Sequence, residues 1–466
     1  MPISLLYFHV QVRARDPPST LGSKLLIGCA REYGPETHMT KTTRTIARSK
    51  PALSNPEAKL ALFGGEPLVA QGRVTAWPAA QNKKHIEALR AVVNSGKYHR
   101  VNHPIVTELE HNLADWTGKW MTRAVASGTA AIHIGLDYVR NRGNRVITAA
   151  LNWPGAVGPI AICGLEPIFV DVDLGLAGID QEAVVNNLGP DVAAVLVTHL
   201  FGNNILIPQA RSVGRARGIA LVDDICQSIG ALKAVANGAH LESDALALSG
   251  NGAKHLGAGE LGFVLTEDPG LIEHVDQVSL TSSSRSGARE FSPNSQGYNY
   301  RPNVFSSSIA NSRIKSLDRQ LQQRRSNGAL LWQMIRDLPG LVPIFNPSDH
   351  TQSMLNFPLR LEPEVIGFRP GSAARDFVVK LLQAEGVPVW VWLTKPVFNY
   401  LPRIRKDWQA SEFPNSVRLL DTMFYVSEIA PPNDAGVMKL YAEAFHKVWE
   451  ALPKLLSQVP STVTAV

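Results

Sequence analysis

Between Ala124 and Leu265 the chain repeats one unit: a short, almost unbroken apolar run, then a stretch with helical spacing, then the next apolar run. The runs are Ala124–Ala126, Arg145–Ala149, Pro167–Val172, Val192–Thr198, Ala220–Val222, Ala245–Leu248 and Phe263–Leu265. Helical stretches open at Ser127 and reach about Tyr138, follow Pro154 to Gly164, and cover Pro208–Arg217. Strands that are apolar on both faces must be covered on both faces. Strands that alternate with helices pair in parallel through crossovers. The sequence therefore predicts an α/β domain on a mainly parallel sheet with helices on both faces. In such sheets a ligand sits at the carboxyl ends of the strands.

The flanks read differently. Residues 1–50 carry eight Lys/Arg against three Asp/Glu, so the net charge of +6 falls to about +1 for the rest. The basic balance belongs to this tail, and no nucleic-acid motif accompanies it. Residues 1–55 are expected to be a disordered or targeting-like extension, with Met39 a candidate natural start. Leu60–Pro67 reads as a short apolar element and turn. Lys84–Asn94 and Val106–Trp116 have helical spacing and complete a large domain over 56–300. Residues 281–296 read as a long loop and Ser308–Gly340 as helical. Residues 301–466 form a smaller α+β domain, with strands at Gln352–Leu359 and Val387–Leu393 and helices at Ser372–Gly386 and Asp434–Leu452. No apolar run approaches the roughly 18–20 residues of a membrane span. Cys29, Cys163 and Cys226 are scattered without a CxxC pair, which fits a reducing cytoplasm.

Several polar groups fall at strand ends. Lys254 lies in a loop of small residues between two apolar runs, where it can reach a cofactor and form a Schiff base with pyridoxal phosphate; it also reads as an ordinary loop lysine. Ser127-Gly128-Thr129 follows a strand and opens a helix, the position at which free N–H groups hold phosphate, or a simple N-cap. Asp223 and Asp224 end a strand. One of them, Asp224 by choice, can keep a pyridinium protonated, with Gln227 three residues on; capping is the plainer role for either. Trp153 can stack on a flat ring or belong to the core. Asn299 and Arg301, in Gly297-Tyr-Asn-Tyr-Arg301, are candidates for contact with an anionic group. His199 and His255 lack a second ligand at a useful spacing, so no metal is expected. His103, His111, His133 and His240 read as structural or surface residues.

As an ordered set over roughly residues 60–455, these segments resemble the DegT/DnrJ/StrS family of sugar aminotransferases, which are fold-type I pyridoxal phosphate enzymes. Ser127-Gly-Thr129 resembles the family's phosphate turn, and Asn152-Trp153 stands where the family often has Thr and a ring-stacking aromatic. Phe169-Val-Asp-Val-Asp173 resembles "FVDVD", His199-Leu-Phe-Gly202 "HLYG", and Asp223-Asp-Ile-Cys-Gln-Ser-Ile-Gly-Ala231 "EDAAQALGA". The resemblance makes Asp224 the pyridinium partner and Gln227 a further cofactor contact. Ser249 and Lys254 match the serine and lysine of "SFHPTK", which makes Ser249 a phosphate contact and Lys254 the Schiff-base lysine. Gly297–Arg301 matches "GYNYR", whose asparagine, here Asn299, reaches the partner subunit's phosphate in a homodimer with shared active sites. Leu60–Pro67 is similar to members acting on keto-cyclitols, such as scyllo-inosose aminotransferases, and to the aminohydroxybenzoate synthase branch. The chain departs from the pattern in three places. It reads Gly259-Glu-Leu-Gly262 where the family has Gly-Glu-Gly-Gly. Its Ser249–Lys254 segment lacks the usual aromatic and proline. No His-Tyr matches near Trp390-Val-Trp392.

The resemblance implies a seven-stranded sheet of fold type I plus the smaller α+β domain. It also implies pyridoxal 5'-phosphate as cofactor, and amino transfer from glutamate or glutamine to a keto-sugar or keto-cyclitol, in aminosugar or antibiotic biosynthesis. The alternatives are dehydration or cyclisation on the same scaffold, and a regulator without catalysis. Related sugar dehydratases carry histidine at the lysine position, and Lys254 stands there in this chain.

Overall fold

The computed structural model describes residues 59–79, 83–100, 103–233, 241–280, 282–285, 288–291, 297–404 and 407–458. The expected extension over 1–55 lies outside them. Two helices precede the sheet, α1 (Lys83–Ser95) and α2 (Pro104–Thr117). The repeated unit then unfolds as β1 (Met121–Val125), α3 (Gly128–Val139), β2 (Arg145–Ala149), α4 (Pro154–Ile162), β3 (Glu166–Val170), α5 (Gln181–Asn187), β4 (Val192–Thr198), α6 (Pro208–Ala216), β5 (Ala220–Asp224), β6 (Ala245–Ser249) and β7 (Gly262–Thr266).

These strands make one seven-stranded sheet in the order β1-β7-β6-β5-β4-β2-β3. Pairings β2–β3, β2–β4, β4–β5 and β5–β6 are parallel. Strand β7 alone runs against its neighbours β1 and β6. The mainly parallel sheet expected from the apolar runs is therefore present, and β1 and β6 point the same way across β7. Alternate residues serve opposite faces. Ala220 and Val222 of β5 and Ala245 and Ala247 of β6 join the core beneath α3, where small side chains let the helix come close. Leu221 faces the opposite core, as do Leu246 and Leu248.

After the sheet come α7 (Pro269–Leu280), β8 (Ser282–Arg285), β9 (Ala288–Phe291), α8 (Val304–Ile314) and α9 (Leu317–Ile335). The remaining elements are β10 (Leu341–Pro343), β11 (Phe357–Leu361), α10 (Ala373–Ala384), β12 (Val389–Trp390), α11 (Pro414–Thr422), β13 (Met423–Val426) and α12 (Ala435–Gln458). Strands β10-β11-β13-β12 form a second, antiparallel sheet. It packs with α10, α12 and the end of α9 around Phe357, Leu359, Phe424 and Phe445.

Some expected elements differ. The expected loop over 281–296 contains the antiparallel hairpin β8–β9; its Ser- and Arg-rich strands have no apolar face to reveal them. The expected strand Gln352–Leu359 begins only at Phe357, because Ser353 and Leu355 instead donate their amides to Gly202 and Phe201 carbonyls at 2.9 and 3.0 Å. The strand expected over Val387–Leu393 is confined to Val389–Trp390. The helix expected over Ser308–Gly340 starts earlier, at a cap made by Asn303, and breaks between Ile314 and Leu317.

A strap over residues 60–77 is sewn to the smaller sheet's elements. The Glu385 carboxylate, fully buried at the end of α10, accepts the Ala61 amide at 2.8 Å and the Leu68 amide at 3.2 Å, and pairs with Lys447 at 2.8 Å. Farther along, Thr75 and Asn433 exchange bonds of 2.9 and 2.8 Å. Replacing Glu385 by Ala strips both amides of their acceptor and leaves the Lys447 ammonium with the Glu66 carbonyl and no counter-charge. Removing one partner of a buried pair costs about 3–5 kcal/mol. Urea denaturation is expected to show a lower midpoint with an unchanged slope; an unchanged midpoint would remove Glu385 from the strap's anchorage.

Candidate active site

The carboxyl ends of β1, β2, β4, β5 and β6 share one edge, and the residues singled out in the sequence gather there. Gly262, which opens β7, pairs with Val125 on one side and Ser249 on the other. That register brings the Ser127–Thr129 turn beside Ser249. The approach is closer than any side chain allows: a Cβ on Gly262 would lie 2.2 Å from the Ser127 carbonyl and 2.7 Å from the Gly128 nitrogen. A Cβ on Gly128 would lie 2.5 Å from Cys226 Sγ and 3.0 Å from Ser249 Cβ. Ser127 caps α3, its hydroxyl oxygen accepting the Ala130 amide at 3.1 Å, and Ser249 accepts the Asn251 amide at 3.1 Å. Both hydroxyls keep a proton to donate. The exposed Thr129 hydroxyl lies near the Trp153 indole, since a Cβ on Gly155 between them would be 2.9 Å from one and 2.7 Å from the other. A helix N-terminus with bare backbone and free hydroxyl donors fits a phosphate group.

The two aspartates at the end of β5 point to opposite faces. Asp223 is committed elsewhere. Fully buried, it accepts His199 Nε2 at 2.9 Å, the Arg211 guanidinium at 3.3 Å and the Ser243 hydroxyl. Burial alone would raise its pKa, but Arg211 and His199 outweigh burial and hold it below the usual range. His199 accepts the Ile205 amide on Nδ1 at 3.1 Å, so its Nε2–H donates to Asp223 and the ring organises the turn. Asp224 is buried on the α3 face, where the Cys226 amide at 3.0 Å and the Cys226 thiol bond its carboxylate, and burial raises its pKa despite those bonds and the nearby Lys254. A buried carboxylate short of positive partners fits the protonated ring nitrogen of a pyridine.

Lys254 faces this pair. Burial lowers its pKa, while Cys226 and Asp224 pull it back up. Its amide donates to Asn251 at 2.8 Å, and its carbonyl accepts the Trp77 indole N–H at 2.9 Å. His255 turns away: its ring bonds the Ser353 carbonyl at 2.9 Å, and burial, reinforced by Arg324, pushes its pKa well below the usual value. It stays neutral and is no rival base.

The other expected residues fall as follows. Trp153 is 46% exposed and stacks on Trp392 at 6.2 Å, with an interplanar angle of 20°. Gln227 is buried, and its Oε1 accepts the Phe201 amide at 2.8 Å, holding a turn in which Phe201 has φ 59°. Asn299 is exposed at φ 56° on a segment tied to β1 by the Ala126 amide and the Tyr300 carbonyl at 2.9 Å; Arg301 is half-buried. Trp77, Cys226, Gln320 and Trp392 also border the site. The sequence assigns none of them a role: Cys226 stands inside the Asp223–Ala231 segment without a part of its own, Trp392 in a stretch marked only by its lack of a His-Tyr match, and Trp77 and Gln320 complete no spacing pattern. Among the described residues, His133, Asp137 and Cys163 bring ligand-type atoms within 4.8 Å of one another. Asp137 is already paired with Arg140 and His274 at 3.1 and 2.9 Å.

Comparison with known proteins agrees with this geometry. The model of the DegT/DnrJ/EryC1/StrS aminotransferase family matches residues 79–428, three quarters of the chain. Protein MosB of Rhizobium meliloti is 31% identical over 206 residues, spanning 43% of this chain and 40% of that protein. Among solved structures, 3-amino-5-hydroxybenzoic acid synthase superimposes with a TM-score of 0.72 at 20% identity, covering 82% of this chain and 99% of that one. The E. coli GDP-4-keto-6-deoxy-D-mannose-3-dehydratase, solved with bound hydrated pyridoxal phosphate, gives 0.69 at 19% identity, covering 80% and 99%. These likenesses establish the fold.

Two departures from the family pattern meet in space. Gly250 stands where the pattern has an aromatic, and Leu261 where it has glycine. The Gly250 amide donates to the Leu261 carbonyl at 2.7 Å, and a Cβ on Gly250 would lie 3.0 Å from Leu261 Cβ. The buried leucine fills the space beside the glycine. Gly250→Phe alone should overpack the site, and Leu261→Gly alone should leave a cavity worth about 2–5 kcal/mol. The double variant should be less destabilised than the sum of the singles in a denaturation cycle; strict additivity would show that the positions do not compensate.

The raised pKa of Asp224 has a stability consequence. Its folded-state pKa lies above its unfolded value, so the carboxylate destabilises the cofactor-free protein once pH exceeds the folded pKa, and the penalty fades as pH falls below it. Asp224→Asn apoprotein should therefore melt higher than wild type at neutral pH, the gap closing in acid. A gap that persists or reverses in acid would place the effect elsewhere.

Proposed function

The chain belongs to the DegT/DnrJ/EryC1/StrS aminotransferase family and is a pyridoxal-phosphate-dependent aminotransferase, and we propose that it moves an amino group from glutamate or glutamine to a keto-sugar or keto-cyclitol. The observation that carries this reading is the meeting, at one sheet edge, of a desolvated lysine, a buried carboxylate of raised pKa and a Ser-Gly-Thr turn at a helix N-terminus whose glycine leaves the backbone bare. The keto-cyclitol arm draws support from the Leu60–Pro67 segment, and the likeness to 3-amino-5-hydroxybenzoic acid synthase is in keeping with it.

Bound pyridoxal phosphate supplies the carbonyl that takes the amino group and the ring that delocalises the electron pair left at the donor's α-carbon. The residues of this chain do the rest. The Ser127, Thr129 and Ser249 hydroxyls and the α3 N-terminus hold the phosphate. Asp224 would keep the ring nitrogen protonated, and Trp153 is placed to lie against the ring. Lys254 Nζ would hold the cofactor as a Schiff base and, once the donor's amine has displaced it, would take the proton from the donor's α-carbon. Desolvation favours the neutral amine that this step requires. Gln227 steadies the Phe201 turn and presents its amide to the cofactor. Exposed Asn299 is offered to the phosphate of a second subunit, which makes the working unit a homodimer with shared sites. Two free cysteines among the described residues, Cys163 and Cys226, fit a cytoplasmic enzyme, here placed in aminosugar or antibiotic biosynthesis. No helix among the described residues is long and apolar enough to cross a membrane.

Absorbance spectra of wild type and Lys254→Ala, before and after L-glutamate or L-glutamine, test the proposal. Wild type should show a visible cofactor band that the donor discharges, and the variant should show neither. A wild type without bound cofactor would favour a regulator. A bound cofactor that neither donor discharges would favour dehydration or cyclisation.

A further inference from the structure

We propose that Trp77 is a positioning residue for Lys254: from the strap, its indole N–H fixes the Lys254 carbonyl and ties the position of the lysine to the smaller sheet. The inference rests on the reading of Lys254 given above and adds a residue that the reading does not use.

The loop that carries Lys254 is rich in small residues, Gly252, Ala253, Gly257, Ala258 and Gly259, and Leu256 anchors it in the core. Small residues offer little side-chain packing of their own at the lysine itself. Besides the turn bond from the Lys254 amide to the Asn251 carbonyl, two polar tethers reach this part of the loop from other elements. Trp77 Nε1 donates to the Lys254 carbonyl at 2.9 Å, and Gln320 Nε2 of α9 donates to the next carbonyl, that of His255, at 3.0 Å. Of the two, only the Trp77 bond falls on the lysine's own peptide.

Trp77 is itself held on every side. Its amide donates to Glu428 Oε2 at 2.8 Å, just beyond β13. The Arg313 and Arg324 guanidinium groups lie over its ring at 4.8 and 5.0 Å from the centroid. Arg324 is buried, and its NH1 bonds the Met354 and Leu355 carbonyls at 3.2 and 2.9 Å. Its Nε and NH2 have no hydrogen-bond partner among the described residues, so the π face of the indole is what those nitrogens meet. Burial, only partly opposed by Glu428, brings the Arg324 pKa down to about 9. Two cations thus lie over the ring, a carboxylate holds the backbone that carries it, and its single N–H is aimed at one carbonyl. A tryptophan serving only as packing has no need of that aim, since its ring satisfies the core in several orientations.

Glu385, Asn433 and Glu428 each hold the strap, at Ala61 and Leu68, at Thr75 and at Trp77, and Trp77 in turn holds the Lys254 carbonyl. A shift of the smaller sheet therefore reaches the lysine through its carbonyl, while Asp224 and Cys226, which face the ammonium, belong to the larger sheet.

The test uses holoenzyme and two variants. Trp77→Phe keeps an aromatic face for both arginines and removes the N–H; Trp77→His restores a ring N–H. Three quantities are read: the pH midpoint of the bound cofactor's visible band, the single-turnover rate with the donor that discharges wild type, and the thermal midpoint. For Trp77→Phe the band's midpoint should move by about half a pH unit. Its single-turnover rate should fall about five- to tenfold with little change in half-saturating donor, as loss of one hydrogen bond implies. The thermal midpoint should stay within a few degrees, and Trp77→His should recover part of both losses. Wild-type midpoint and rate in Trp77→Phe would overturn the proposal, as would equal loss in both variants. Should Trp77→Phe fail to fold, Trp77→His decides alone: near-wild-type values support the N–H, and full loss refutes it. A wild type lacking the band would instead overturn the function on which the inference rests.

Discussion

The active site depends on one backbone contact. Strand β7 runs against its neighbours, and Gly262 at its start presses against the Ser127–Gly128 peptide with no room for a side chain. That contact fixes where α3 begins relative to the end of β6. It therefore fixes the spacing between the Ser127–Thr129 turn and the loop that carries Lys254. Gly128 repeats the constraint from the other side, leaving room for Cys226 and Ser249. Two missing side chains, more than any hydrogen bond, give the cradle its shape. Backbone pressed against backbone cannot relax by turning a rotamer, which makes the geometry stiff.

The electrostatics divide the labour between adjacent residues. Alternation along β5 sends Asp223 into a network of His199, Arg211 and Ser243, where its charge is met. Asp224 goes to the other face, where its charge is largely unmet within the chain. The first is structural, and the second is the carboxylate to which the proposal above gives the cofactor's ring nitrogen. The cost of that readiness falls on the cofactor-free fold, a common exchange of stability for function at catalytic sites.

Much of this was legible in the sequence, for definite reasons. Strands buried on both faces leave unbroken apolar runs, so β2, β4 and β6 announce themselves. Ser127, Asp224, Ser249 and Lys254 are marked because each follows such a run, and the fold brings strand ends to one edge. Elements without an apolar signature did not show, as with the Ser- and Arg-rich strands of β8 and β9. The segment at Gln352–Leu355 looked like a strand because its composition fits one, yet its amides answer the Phe201–Gly202 turn, a long-range pairing that no local pattern encodes. Trp77 was invisible for the same reason: it lies 177 residues from the carbonyl it holds. Gln227 was singled out as a cofactor contact, and the side-chain bond found for it within the chain goes to the Phe201 amide.

The packing of Gly250 against Leu261 constrains the history of the chain as well as its stability. From the family's pattern, with an aromatic at the first position and glycine at the second, two substitutions lead to the present pair. Losing the aromatic first leaves a void, which a fold with stability to spare survives. Gaining the leucine first drives two large side chains into one space. Where the two positions compensate, the route through the void is the easier one. Motif patterns that score each position separately count two mismatches here, although the two residues touch.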